Sequence, residues 1–343
     1  MNDSRFQEIT DCYPQLSVAV IGDYCLDRYL EIDPSRSEVS IETGLEVFNV
    51  NNVRSQPGGC GTILSNLIAL GCANLFPVGF AGEDGDGYEL LMALKANKSV
   101  NLKYFLQTSE RRTFTYCKPL VMDDSCGVPR ELNRFDSKNW TNTPEAVQLE
   151  LAASITQLAT QVDAIVLLGQ VDQPGTGVLC GRVLEALRQV RADNPDLLII
   201  ADSRSGFADF PNVCLKTNRG EFLSMINDSL ELPMPELMNQ ISILSDQRGQ
   251  GVFVSLSEGG IAGAFPGVGA THVAGLPCDD EIDVVGAGDA VMANLALALA
   301  ANASVVESMR IAMAAASIVV RQLGTTGVAA RNEIAPLLKF FDE

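Results

Sequence analysis

A chain of 343 residues can hold one large α/β domain or two smaller ones, and 47% hydrophobic with 20% charged residues is the balance of a folded protein with a substantial core. Lys and Arg number 24 against 43 Asp and Glu, a net charge of -19; no basic patch is visible for nucleic acid, and the acid excess argues against anionic membrane surfaces. A nucleotide stays admissible, because backbone N–H groups and a metal ion can hold phosphates.

The first ten residues lack an apolar run of signal-peptide type, and no stretch reaches the ~18 apolar residues of a membrane span. Nine cysteines without a C-x-x-C pair read as reduced, mostly buried thiols. A cytoplasmic protein is expected.

Residues 16–22 form a β-branched run ending at Gly22, the profile of a buried strand. Residues 28–53 mix polar and apolar positions with traces of period two, which suits strands with one wet face standing off the core. G-G-C-G at 58–61 leads into a helical pattern over 62–70, stopped by Gly71. A strand over 75–80 and a helix over 88–97 follow, and 112–121 and 131–135 read as further exposed strands. Thr143-Pro144-Glu145 gives a helix start with a capping hydroxyl, proline at the first position and an early acid. Strand and helix signals then alternate: strands at 164–168, 197–201, 213–217 and 252–256, helices at 177–190, 290–301 and 304–322. Repeated βα units imply a mostly parallel sheet covered on both faces. No linker or repeat divides the chain, so a single domain over 1–343 is expected, with inserted lid segments at about 28–53 and 112–135.

The densest chemistry lies at D-V-V-G-A-G-D, 283–289. With no bulky side chains, the N–H groups of Gly286, Ala287 and Gly288 can approach a ligand closely. A helix N-terminus is suited to an anion, yet Asp289 sets a carboxylate beside it. A general base next to a transferring phosphoryl group explains that pairing; a plain helix cap after a glycine turn explains it as well.

This segment resembles the D-T-x-G-A-G-D signature of the ribokinase-like (PfkB-type) sugar kinases, and other landmarks follow in family order. V-I-G-D-Y-C-L-D-R-Y at 20–29 resembles the first strand with its substrate-contacting aspartate. P-G-G-C-G-T at 57–62 resembles the di-glycine motif, N-R-G-E at 218–221 the N-x-x-E motif, S-L-S-E-G-G at 255–260 the nucleotide loop, and L-G-T-T-G-V at 323–328 the closing segment. Within the family the chain is most similar to the heptose-phosphate kinase branch.

The resemblance implies a three-layer α/β/α domain with a small β-sheet lid, and ATP-dependent phosphorylation of a sugar or sugar-phosphate hydroxyl. Asp289 would be the base, and the Gly286, Ala287 and Gly288 amides an anion hole. Asp27, Gly58, Gly59 and Thr62 would fix the sugar; independently of the resemblance, Arg134 on the second lid segment can pair with Asp136 or reach a substrate phosphate. Asn218 and Glu221 would hold Mg²⁺ through water. Ser255, Ser257, Gly260 and Met313 would border the nucleotide. The lid would exclude water and, as often in relatives, serve as a homodimer clasp.

The chain departs from the family pattern at several points. Val284 replaces a threonine near the phosphates, Thr62 an asparagine at the sugar, and Met313 an asparagine near the adenine. Strand ends that read S-D-Y and D-P-K in the heptose-phosphate branch are G-Q-V at 169–171 and D-S-R at 202–204. These changes motivate a second reading, a relative that binds ligand without turnover. An NAD-type oxidoreductase is disfavoured, since Gly22-Asp23 lacks a G-x-G-x-x-G turn. His272 is the only histidine, which removes Ser-His-Asp triads and histidine metal sites. Cys25 and Cys60 flank the expected sugar site but have no histidine partner, so packing is their expected role. The acidic trio 279–281 reads as a solvated loop.

Overall fold

The computed structural model describes residues 1–122, 129–228, 232–278 and 280–341. A nine-stranded sheet runs in the order Thr271–Val273, Ile261–Ala264, Val252–Ser255, Cys214–Asn218, Leu198–Ser203, Ala164–Gly169, Ser17–Gly22, Asn74–Gly82, Phe105–Thr108. Its pairings are parallel except for the two at the Thr271–Val273 edge, which are antiparallel. Ser17–Gly22 and Ala164–Gly169 are buried almost throughout, so both read as continuous apolar runs with no alternation.

Helices cover both faces. Cys60–Ala69, Ala287–Ala300 and Val305–Val319 contribute to one core cluster, and Glu145–Leu158 with Gly181–Asp193 to another. Ala287–Ala300 packs on Cys60–Ala69 and Val305–Val319 and buries every residue from Ala290 to Ala298. A helix surrounded on all sides is apolar all round, which explains the A-V-M-A-N-L-A-L-A composition after Asp289. The fold is thus three-layered, with core packed on both sides of the sheet and a third cluster around Phe222, Leu237 and Ile241.

A second, smaller sheet stands off the first. Tyr24–Ile32 leaves the end of Ser17–Gly22 after the single residue Asp23, pairs antiparallel with Val50–Gly59 and parallel with Phe114–Val121, and Phe135–Ser137 and Arg130–Glu131 both join Phe114–Val121. Its strands begin before residue 28 and run to Gly59 and Ser137, so the lid reaches closer to the core than the polar pattern indicated. Arg28 ties its base to helix Gly85–Lys95 through Asp86 (3.1 Å) and Glu89 (2.8 Å).

One helix start differs from expectation. Glu145–Leu158 has Pro144 at its N-cap, with no side-chain cap. The Thr143 hydroxyl instead donates to the Gly177 carbonyl at 2.7 Å, a buried long-range bond that outcompetes capping. Among the described residues no helix is long and apolar enough to cross a membrane.

Candidate active site

The chain leaves Ser17–Gly22 for Asn74–Gly82 on one side and takes up Ala164–Gly169 on the other, so the strand order reverses there. Open α/β sheets take ligands at the carboxyl ends of the strands beside such a switch point. Asp23 welds this one: its buried carboxylate accepts the N–H groups of Gln170 (2.8 Å), Val171 (3.1 Å) and Val178 (2.7 Å). Burial pushes its carboxyl up, and the three amides oppose that rise. Four residues from Asp27 in sequence, Asp23 is a structural residue.

A cleft of about 440 Å³ opens beside it, between the strand ends and the lid, lined by Asp27, Lys118, Arg134, Lys216, Glu221 and Asp289 among others. Asp289 sits in the first turn of helix Ala287–Ala300, half-buried. Burial pushes its carboxyl up to about 7; Lys216 and Arg204 pull it down, while Asp202 and Asp27 push it further up. A carboxyl poised near neutrality suits general-base work.

The turn ahead of it is braced by Asp283, which accepts the N–H groups of Val285 (3.0 Å) and Gly324 (3.1 Å). Gly286 has φ 84°, a left-handed conformation that favours glycine. Ala287 N–H closes the turn onto the Val284 carbonyl at 3.2 Å. The N–H groups of Gly286 and Gly288 have no partner among the described residues, so two of the three expected donors stand open and the third is occupied. Gly286, Gly288 and Val284 line the cleft, and Val284 is 68% exposed.

At the lid side of the cleft, buried Asp27 faces Lys118, with Nζ and Oδ1 3.4 Å apart, and Lys118 also reaches the Tyr29 hydroxyl at 3.3 Å. Burial pushes the Asp27 carboxyl up, and Lys118 opposes it. The di-glycine beside it leaves room for this pair. A Cβ at Gly58 would stand 2.6 Å from Asp27 Oδ2, and one at Gly59 2.5 Å from the Asp23 carbonyl oxygen; Gly59 also has φ 59°. Thr62 lines the cleft with its buried hydroxyl unpartnered. Arg134 pairs with Asp136 at 2.6 Å and lies over the Tyr116 ring, while still facing the cleft.

Asn218 and Glu221 close a capping box on the short helix Arg219–Met225: each side chain accepts the other's backbone N–H at 2.9 Å. That geometry accounts for both residue types without a metal. Both also line the cleft, and Glu221 Oε1 has no partner among the described residues. A single spare carboxylate oxygen fits Mg²⁺ held mainly by water and substrate phosphate. Among the described residues no group of three or more His, Cys, Asp or Glu forms a metal cluster.

The other expected nucleotide residues lie outside the lining of this cleft. The Ser255 hydroxyl donates to the Thr217 carbonyl at 3.1 Å. Ser257 and Gly260 close a tight turn by the bond from Gly260 N–H to the Ser257 carbonyl. Met313 is buried in the core on Val305–Val319.

Lys118, Lys216 and Arg204 are among the cleft residues that no motif assigned to the site, and Asp202 figured only as a departure from the D-P-K pattern. Lys216 lies on Cys214–Asn218 and bonds Asp202, on the adjacent parallel strand, at 2.6 Å. The signal available was a lysine directly after the apolar run Val213-Cys214-Leu215 in an expected strand. Cys25 and Cys60 are buried, their thiols pushed up by burial, while Cys126 falls outside the described residues. His272 sits exposed on the edge strand with Nε2 2.7 Å from the Gly259 carbonyl. Of the acidic trio, Asp279 is outside the described residues, and Asp280 and Glu281 are exposed.

The sequence pattern described as "pfkB family carbohydrate kinase" matches residues 15–331. The chain belongs to the pfkB family of carbohydrate kinases. This pfkB-family kinase is 28% identical over 336 residues to the bifunctional protein HldE of Hyphomonas neptunium, covering 97% of this chain and 66% of that protein. It is 31% identical over 327 residues to the HldE of Pseudomonas aeruginosa, covering 93% and 63%. The chain therefore spans a little under two thirds of the length of these relatives. Among solved structures, phosphofructokinase-2 from Escherichia coli in complex with potassium superposes with a TM-score of 0.71 at 17% identity, covering 96% of this chain and all of that one. Ribokinase from Arabidopsis thaliana, complexed with ribose and ATP, gives 0.66 at 21% identity, covering 95% and 99%. These likenesses carry the ribokinase-like fold.

Proposed function

We propose that this carbohydrate kinase transfers the γ-phosphoryl group of ATP to a hydroxyl of a sugar or sugar phosphate, with Asp289 as the base. The observation that carries the reading is that Asp289 and Asp27 line one cleft, with the open N–H groups of Gly286 and Gly288 beside them. Asp27 and the Thr62 hydroxyl orient the acceptor. Asp289 takes the proton of the attacking hydroxyl as its oxygen bonds to the γ-phosphorus. The bond from that phosphorus to the bridging oxygen breaks, and its electron pair leaves with ADP. The Gly286 and Gly288 amides stabilise the charge spread over the transferring oxygens.

Glu221 and Asn218 would hold Mg²⁺ through water, the ion neutralising phosphate charge when bound. Arg134 lines the cleft and is proposed to meet a phosphate on the acceptor, and the motif resemblance to the heptose-phosphate kinase branch favours a sugar phosphate. Ser255, Ser257 and Gly260 keep their proposed place around the nucleotide, while Met313, buried in the core, would offer it packing and no polar contact. Free cysteines, most of them buried among the described residues, fit a cytoplasmic setting.

The lid exposes Ile41, Leu45, Phe48, Val53 and Phe135, apolar side chains that a second copy of the chain would cover. A homodimer through the lid is the assembly proposed. Light scattering should give twice the chain mass, reduced to one chain by Phe48→Asp with Ile41→Asp; a monomeric parent protein contradicts it.

The second reading, binding without turnover, is favoured by Val284 standing exposed where a hydroxyl is expected. A screen of sugars and sugar phosphates with ATP and Mg²⁺ separates the two. ADP release that depends on one acceptor class supports the kinase reading, and saturable binding without ADP release supports the other.

A further inference from the structure

We propose that Lys216, held in place by Asp202, is a further catalytic cation that meets the transferring phosphoryl group beside the Gly288 amide. The inference rests on the kinase reading of the same cleft.

Lys216 belongs to a strand whose neighbouring positions Leu215 and Thr217 are fully buried. A buried ammonium is costly unless paired, and Asp202 supplies the pairing at 2.6 Å. That bond occupies one of the three donors of the ammonium. Its location is what neutralising Asp202 does not explain. Lys216 and Asp202 both line the cleft, and a Cβ at Gly288 would stand 3.1 Å from Lys216 Nζ. The ammonium therefore lies against the bare α-carbon of Gly288, next to an open N–H and one residue from Asp289.

The surrounding charges agree with this placement. Asp202, Asp289 and Glu221 act on Lys216 and, against the cost of burial, hold it protonated. Arg204 and Asp27 also act on Asp289. Lys216 is thus a fixed positive charge in the cleft that Asp289 and Glu221 also line, close to the α-carbon of Gly288. A preorganised cation there stabilises charge that grows only in the transition state.

The alternative is that Lys216 serves only to neutralise Asp202. Lys216→Met leaves Asp202 unpaired and can unfold the protein, so the deciding variant is Lys216→Met with Asp202→Asn, which removes both charges together. Initial rates and thermal unfolding of this double variant are compared with the parent protein. The expected result is a native thermal midpoint, a KM for ATP within a few-fold, and kcat lowered by roughly 10²-fold or more, the usual loss of one such donor. A folded double variant with the parent's kcat overturns the inference and leaves the kinase reading standing. A parent protein that turns over no acceptor overturns both.

Discussion

Lys118 Nζ stands 3.4 Å from Asp27 Oδ1, so the lid strand Phe114–Val121 supplies the counter-ion of a carboxylate on the strand entering the lid. Both side chains are buried, at the seam between core and lid where the proposed acceptor site lies. Asp27→Asn keeps the shape and removes the charge. It should raise KM for the acceptor about 10- to 100-fold, the worth of a hydrogen bond to a charged group, and leave KM for ATP nearly unchanged. Steady-state kinetics with each substrate varied in turn checks this; an equal rise in both KM values speaks against it.

Asp289 gives a prediction in pH. Its carboxyl is raised by burial to about 7, and the base must be ionised to work. The kcat/KM profile should therefore fall on its acid side with a midpoint near 7. Stability moves the other way. Because the folded-state value lies above the unfolded one of ~3.9, the native state binds more protons between these limits and loses stability as pH rises through them. Asp289→Asn should therefore match the parent in thermal midpoint near pH 4 and exceed it at pH 8. A variant less stable than the parent at pH 8 contradicts the assignment.

The capping box lets metal binding be separated from folding. Asn218→Ala removes an N-cap and should cost about 1 kcal/mol of stability, read by denaturant unfolding. Glu221→Gln keeps an acceptor for the Asn218 N–H, so its stability should change little. Its half-saturating Mg²⁺ concentration should nevertheless rise several-fold in the activity assay. If Mg²⁺ dependence is unmoved, Glu221 is a cap and nothing more.

Much of this architecture is legible in the chain. Ser17–Gly22, Ala164–Gly169 and Leu198–Ser203 announce a parallel sheet because double-sided burial removes alternation. The glycine turn at 286–288 announces its helix start. Lys216 and Lys118 were missed for a tertiary reason. The Lys216 partner lies 14 residues away in sequence and meets it only through the parallel register of Ala201 with Leu215. Lys118 sits on a strand whose lid position suggests solvent, yet it is buried once Tyr29 and Asp27 close over it. Asp23 and Asp27 are indistinguishable as isolated acids, and only the three backbone donors around Asp23 mark it as structural.

Val284 offers a gain-of-function test. Its side chain is exposed beside the glycine turn at 286–288, so a hydroxyl can be installed without repacking the core. Val284→Thr should improve kcat/KM for ATP by about two- to tenfold, the net worth of one neutral hydrogen bond. The backbone donors already present limit the gain. An increase from undetectable to robust turnover favours the binding-without-turnover reading of the natural chain.

The most direct test of the account is acceptor-dependent ADP formation with ATP and Mg²⁺, measured side by side for the parent protein and Asp289→Asn. The account predicts turnover with a sugar or sugar phosphate that falls by roughly 10²- to 10⁴-fold in the variant, with acceptor binding retained. Equal turnover in the two proteins contradicts it.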